Sequence, residues 1–117
     1  NGISAQGRMV FVAGQIGWNS ECVFETDLFW KQTRKAFSNT VEVLSAAEAK
    51  PEHIVRMTWF ITSRKEYLEQ QKEIGKAYRE IIGKHYPAMS VLVVSELIEE
   101  AAKVEIETTA VIPEVSR

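Results

Sequence analysis

This sequence predicts an α/β (α+β) fold: one mixed sheet with two helices packed on one of its faces. Strand-like and helix-like patterns alternate along the chain, so each helix serves as a crossover between strands, and right-handed crossovers put both helices on the same side. Both helical segments carry an apolar stripe at three- and four-residue spacing, as helices lying on a sheet do. The stretch from Tyr86 to Leu97 is the most β-prone and least charged run, and Ala101 to Glu107 follows it with charges at alternate positions. These two stretches read as paired strands on which the rest is laid.

Met9 to Ala13 is a continuous apolar run between Gly7 and Gly14, a strand by its length and its β-branched and aromatic content. Gly14-Gln15-Ile16-Gly17-Trp18-Asn19 sets two glycines three apart, which suits a bend or bulge. A dinucleotide loop needs three glycines ahead of a helix, so that reading fails. Thr26 and Asp27 are positioned to cap a helix running to about Ala49, where Pro51 stops it; its stripe is Trp30, Thr33, Phe37, Thr40 or Val41, Leu44 and Ala47. After a turn at Pro51-Glu52-His53, Ile54 to Thr62 is a strand, with Val55, Met57, Trp59 and Ile61 toward the core. Lys65 to Ile82 is the second helix, striped by Tyr67, Gln71, Ile74, Tyr78 and Ile81 and ended by Gly83. In the last strand Val104, Ile106, Thr108, Ala110 and Ile112 share one face, and Lys103, Glu105, Glu107, Thr109 and Val111 the other.

At 117 residues, 45% hydrophobic and 26% charged, the chain (1-117) has the composition of a soluble globular domain and is too short for two ordinary cores. A net charge of -2, with Lys and Arg scattered among Asp and Glu, provides no basic field, so nucleic acid is not expected as a partner. No apolar run approaches the roughly 20 residues of a membrane helix, and no leader pattern opens the chain. Cys22 is the sole cysteine, which fits a reducing, cytoplasmic location. His53 and His85 have no ligand-type neighbour at metal spacing, so no metal is expected, and Cys22 has no partner His in view.

With both helices on one face, the other face of the sheet is left bare. The runs Met9 to Ala13 and Ser90 to Val94 are apolar on both sides, and an uncovered apolar face usually marks an interface. Homo-oligomerisation through the sheet resolves this.

Five spaced motifs resemble one family. They are Ala13-Gly14-Gln15-Ile16, the helix pair Gln32 and Asn39, Ile54-Val55-Arg56 with Thr58 and Phe60, Pro87-Ala88 with Ser90, and Val104-Glu105-Ile106-Glu107. In order and spacing they follow the Rid family, also called YjgF-like or L-PSP endoribonuclease-like, over nearly the whole chain. The resemblance implies a chorismate-mutase-like fold and a homotrimer with inward-facing sheets. It also implies small-molecule clefts between subunits, in which the best-known members hydrolyse 2-imino acids to 2-oxo acids and ammonia without metal or cofactor. Glu105 matches the glutamate that orients the attacking water, and Gly14 the turn lining the cleft; Ser90 and Trp18 are further cleft candidates. The family arginine of the Pro-Ala-Arg-Ser motif, whose planar fork holds a substrate carboxylate, is replaced by Met89.

A thioether does not pair with a carboxylate, so the resemblance implies a trimer binding a small metabolite, a carboxylate or an imine, without efficient imine hydrolysis. One alternative is a competent deaminase in which Arg56, Lys103 or a residue preceding Asn1 supplies the charge. Another is the ribonuclease or translation-inhibitor role of some relatives, for which the sequence offers no basic patch. The plain readings are that Met89 packs a strand, that Glu105 pairs with Lys103 on the same strand face, and that Trp18 packs at an interface.

Overall fold

The computed structural model describes residues 1–114. In chain order it contains β1 (Arg8–Ile16), α1 (Phe29–Ala46), a 3-10 turn (Pro51–His53), β2 (Ile54–Ile61), α2 (Arg64–Glu69), α3 (Gln71–Ile81), β3 (Ala88–Val93) and β4 (Val104–Ile112). The sheet order is β1-β4-β2-β3, with β4 antiparallel to both neighbours and β2 parallel to β3. The fold is therefore the mixed α/β sheet expected, but the late strands are not partners. β4 inserts between β1 and β2, and β3 lies at the edge beside β2. Periodicity shows which residues share a face; the choice of neighbour is made by the crossovers, which take β1 to β2 and β2 to β3 in parallel and leave one antiparallel slot for β4.

Both helices lie on one face, as expected. Phe29, Phe37 and Leu44 of α1 and Ile74, Ala77 and Tyr78 of α3 join Val12, Met57, Trp59, Ile61, Val104 and Ile106 in one buried cluster. Phe37 meets the Trp59 ring edge-on at 5.3 Å and the Tyr78 ring at 5.4 Å, an arrangement that aligns the positive edge of one ring with the negative face of the next.

Several boundaries differ from expectation. Helix α1 begins at Phe29, with Leu28 at its N-cap and no side-chain cap; Thr26 Oγ1 instead accepts from the Leu28 N–H. It ends at Ala46, before Pro51, because Glu48 takes a left-handed conformation (φ 65°) and the Glu48 and Ala49 N–H groups fold back onto the Ser45 and Leu44 carbonyls. The second helix is broken into α2 and α3 at Gln70, whose side-chain oxygen accepts from the Trp30 N–H at 2.9 Å and so caps α1 from across the core. Val55 is only half-buried, because a register shift between Ile54 and Arg56 turns Ile54 inward in its place.

Among the described residues, nothing covers the opposite face of the sheet. Met9 and Phe11 of β1 and Leu92 of β3 stand on it, and Phe11 is 72% exposed. Strand β3 also extends past the cover of the helices, leaving Val91 and Val93 on its helix side exposed as well.

Candidate functional site

The bend read at Gly14 is a β-bulge. The β1–β4 register shifts between Val12 and Gln15, and Glu105 lies between Ile16 on one neighbour and Phe60 on the other. A Cβ on Gly14 would stand 2.5 Å from Glu105 Oε2, so the carboxylate rests where a side chain is missing. Glu105 does not pair with Lys103. The Lys103 ammonium turns to Glu66 at 3.1 Å, tying β4 to α2, and among the described residues Glu105 makes no ion pair.

The strand that carries Glu105 is held by Gln32, a polar residue buried in α1. Its Nε2 donates to the Thr26 and Ala101 carbonyls, both at 3.0 Å, and its Oε1 accepts from the Lys103 N–H at 2.8 Å. Asn39, two turns further along the same face of α1, donates to the Ile16 and Trp18 carbonyls, both at 2.9 Å, and fixes the end of β1. The motif pair Gln32 and Asn39 is thus a frame for the bulge and for the entry to β4. Trp18 itself leans on Phe24, with centroids 5.7 Å apart, at a separate surface pocket that includes Cys22 and Glu42.

Met89 lies elsewhere. It is in register with Met57, whose side chain is buried beneath the helices, and it lines a cavity of about 170 Å³ on the helix side of the sheet edge. Ser90, in register with Thr58, faces the open side. One chain therefore brings Gly14 and Glu105 together, with Trp18 two residues beyond Ile16 at the same end of β1 but turned to its own pocket, and places Met89 on the opposite face of the sheet and Ser90 two strands away. Neither candidate replacement cation reaches Met89: Lys103 is engaged by Glu66, and Arg56 lies on the open face with Phe11, Thr58 and Glu107.

Arg79 was missed by the sequence reading. It lines the Met89 cavity together with Trp59, Tyr67, Tyr78 and Tyr86. Its only trace in the sequence is a position four residues after Gly75, on the same side of α3. Tyr78 donates its hydroxyl hydrogen to the His85 carbonyl, and His85 Nε2 lies 2.6 Å from the Ile54 carbonyl, which fixes the ring proton on that nitrogen. Burial, with a smaller effect from Tyr86, pushes the Tyr78 pKa up to about 12, so the phenol stays neutral. The Trp59 Nε1 is buried and has no acceptor among the described residues, an arrangement that costs about 1–3 kcal/mol.

No group of three or more His, Cys, Asp or Glu side chains able to hold a metal occurs among the described residues, and no helix among them is long and apolar enough to cross a membrane.

The family model described as Endoribonuclease L-PSP matches residues 2–112. A RutC family protein of Aquifex aeolicus is 34% identical over 102 residues, covering 87% of this chain and 79% of its own length. Among solved structures, the Rid-family protein YyfB of Yersinia pestis superposes with a TM-score of 0.78 at 27% identity, over 91% of this chain and 80% of that one. The E. coli protein TdcF, solved with bound serine, gives 0.76 at 30% identity, over 93% and 84%.

Proposed function

We propose, from the premise that this chain belongs to the endoribonuclease L-PSP family, which includes the Rid and YjgF proteins, that it acts as a homotrimer binding a small metabolite between subunits and hydrolyses 2-imino acids poorly. One observation carries this reading: Met89 and Glu105 occupy opposite faces of the same sheet. A site that uses both positions forms only where the helix-side edge of one copy meets the open face of another. The exposed Phe11 and Met9 on that face support such a contact. That TdcF was solved with serine supports a small polar metabolite as the class of ligand.

In such a site Glu105 holds a water or a substrate N–H over the Gly14 bulge, where no side chain intervenes. The opposite end offers a thioether where a charged fork would hold the substrate carboxylate. Losing a charge-assisted pair costs on the order of 1.5–3 kcal/mol, roughly ten- to a hundredfold in binding. Misorientation of the bound imine lowers turnover further. The ribonuclease reading draws no support from Arg34 and Lys103, which are paired with Glu80 and Glu66.

Semicarbazide trapping of 2-iminopropanoate, generated by an amino-acid oxidase, tests the proposal. The unmutated protein is expected to match the blank, and Met89→Arg to exceed it. Strong hydrolysis without the mutation would overturn the proposal.

A further inference from the structure

We propose that the outer side of α1 carries a groove for a small phosphate monoester bearing an aromatic ring, with Lys31, Arg34 and Lys35 taking the phosphate and Trp30 the ring. The helix buries Phe29, Gln32, Thr33, Ala36 and Phe37, which turns 31, 34, 35 and 38 away from the core and leaves Trp30 half-buried at the border. Cations that are scattered along the sequence are gathered here: Lys31, Arg34 and Lys35 stand at i, i+3 and i+4 and line one groove with Trp30, Ser38 and Gly17. Its volume of about 270 Å³ is that of roughly nine waters, room for one ring and a phosphate. The second wall, from Gly17 to Thr26, is tied to α1 at both ends. Asn39 holds the Ile16 and Trp18 carbonyls, Gln32 holds the Thr26 carbonyl, and in the turn between them Asn19 Oδ1 accepts from the Glu21 and Val23 N–H groups. A groove fixed in this way loses little freedom on binding.

The charge in the groove is unbalanced. Lys31 and Lys35 make no ion pair among the described residues: Glu25, which also lines the groove, and Asp27, four residues before Lys31, are bonded to neither. The Lys31 ammonium lies over the Trp30 ring instead, 5.6 Å from its centroid. Arg34 Nη1 is held by Glu80 at 3.1 Å, which fixes the guanidinium at the edge of the groove. Two like charges four residues apart on one helix repel, and a bound dianion reverses that repulsion. A phosphate monoester carries about −1.5 to −2 charges at neutral pH and accepts from several donors at once, where a carboxylate brings a single charge. Lysine, a compact charge on a flexible stem, suits such a group, and Ser38, one turn beyond Arg34, adds a hydroxyl. The ring of the ester then meets Trp30 where the Lys31 stem now lies. This side of the chain is turned away from the open sheet face, and the groove needs neither a second subunit nor imine chemistry.

The test is a titration of the full chain with phenyl phosphate, followed through the ¹H–¹⁵N signal of the Trp30 indole (assigned with Trp30→Phe) and by calorimetry. Phenyl phosphate is expected to shift that signal saturably. Phenol, which keeps the ring and loses the charge, and inorganic phosphate, which keeps the charge and loses the ring, should each bind at least roughly tenfold more weakly. The dinucleotide UpU, a diester of single charge, should be weaker by a similar factor. Lys31→Gln and Lys35→Gln keep a good helix former at each position and should each weaken phenyl phosphate roughly tenfold, whereas Lys72→Gln, on the exposed side of α3, should not change it. No movement of the Trp30 signal up to about 20 mM phenyl phosphate, or equal weakening by Lys72→Gln, overturns the proposal. Equal binding of UpU overturns the assignment to a monoester. A monomeric particle or full imine hydrolysis would instead overturn the preceding reading and leave a positive result with phenyl phosphate standing.

Discussion

Gly14 and Gly17 stand three residues apart and should tolerate a methyl group very differently. At Gly17 an added Cβ would meet the Gln32 carbonyl oxygen at 2.5 Å and its Cα at 2.6 Å, which is helix backbone with nowhere to go. Gly17→Ala is expected to cost about 1–3 kcal/mol in urea unfolding. At Gly14 the obstacle is the end of the Glu105 side chain, so Gly14→Ala should cost less than about 1 kcal/mol while displacing the carboxylate. Equal costs at the two sites would show that Glu105 is pinned. Tyr78 makes a pH prediction. An unfolded tyrosine loses its proton near pH 10, and Tyr78 in the fold near 12, so in between the folded state binds more protons. Its contribution to stability is whole below about pH 10 and is lost as the pH rises to about 12. Tyr78→Phe should flatten that decline and cost about 1 kcal/mol at neutral pH for the lost bond to the His85 carbonyl. Residues whose meaning lies in local spacing, such as the Gly14 bulge, were legible in the sequence. Arg79 was not, because only the packing of α3 beside β3 puts it next to Met89.

Among the elements, α1 is the one whose polar residues do most of the positioning. Gln32→Leu keeps the volume but leaves the Lys103 N–H and the Thr26 and Ala101 carbonyls without their partner, so a loss of about 3 kcal/mol or more is expected, measured by thermal or urea unfolding. A loss under about 1 kcal/mol would mean that water replaces the amide. Gln70→Ala removes the acceptor for the Trp30 N–H and should cost about 1 kcal/mol, the usual value of a helix cap. Both helices, their stripes and their common face of the sheet were readable from apolar spacing. The break between α2 and α3 was not, since residues 64–82 carry a nearly continuous helical pattern and Gln70 is itself a good helix former. It is a contact 40 residues away that turns Gln70 into a cap. The order of the strands was equally hidden: alternation assigned the inner faces of β2 and β4 well, apart from the shift at Val55, but says nothing of neighbours.

On the scale of the whole molecule, the bare sheet face is the surface through which the proposed assembly would form. The trimer proposed above should appear in size-exclusion light scattering as a particle near three times 13.3 kDa, and Phe11→Asp should dissociate it while leaving each chain folded. A stable monomer at micromolar concentration would remove the interface on which the shared site depends. The position of β4 has a separate consequence, for biosynthesis. The strand that joins the two halves of the sheet is the last of the four to be translated, and until Val104–Ile112 has emerged β1 has no partner and β2 is bare along the edge where β4 will lie. Folding alongside synthesis is therefore limited to α1, the β2–β3 pair and their local contacts, and a ribosome stalled before Val104 holds a chain with two open strand edges. Emergence of β4, rather than any earlier stage of elongation, is the moment at which this sheet can close.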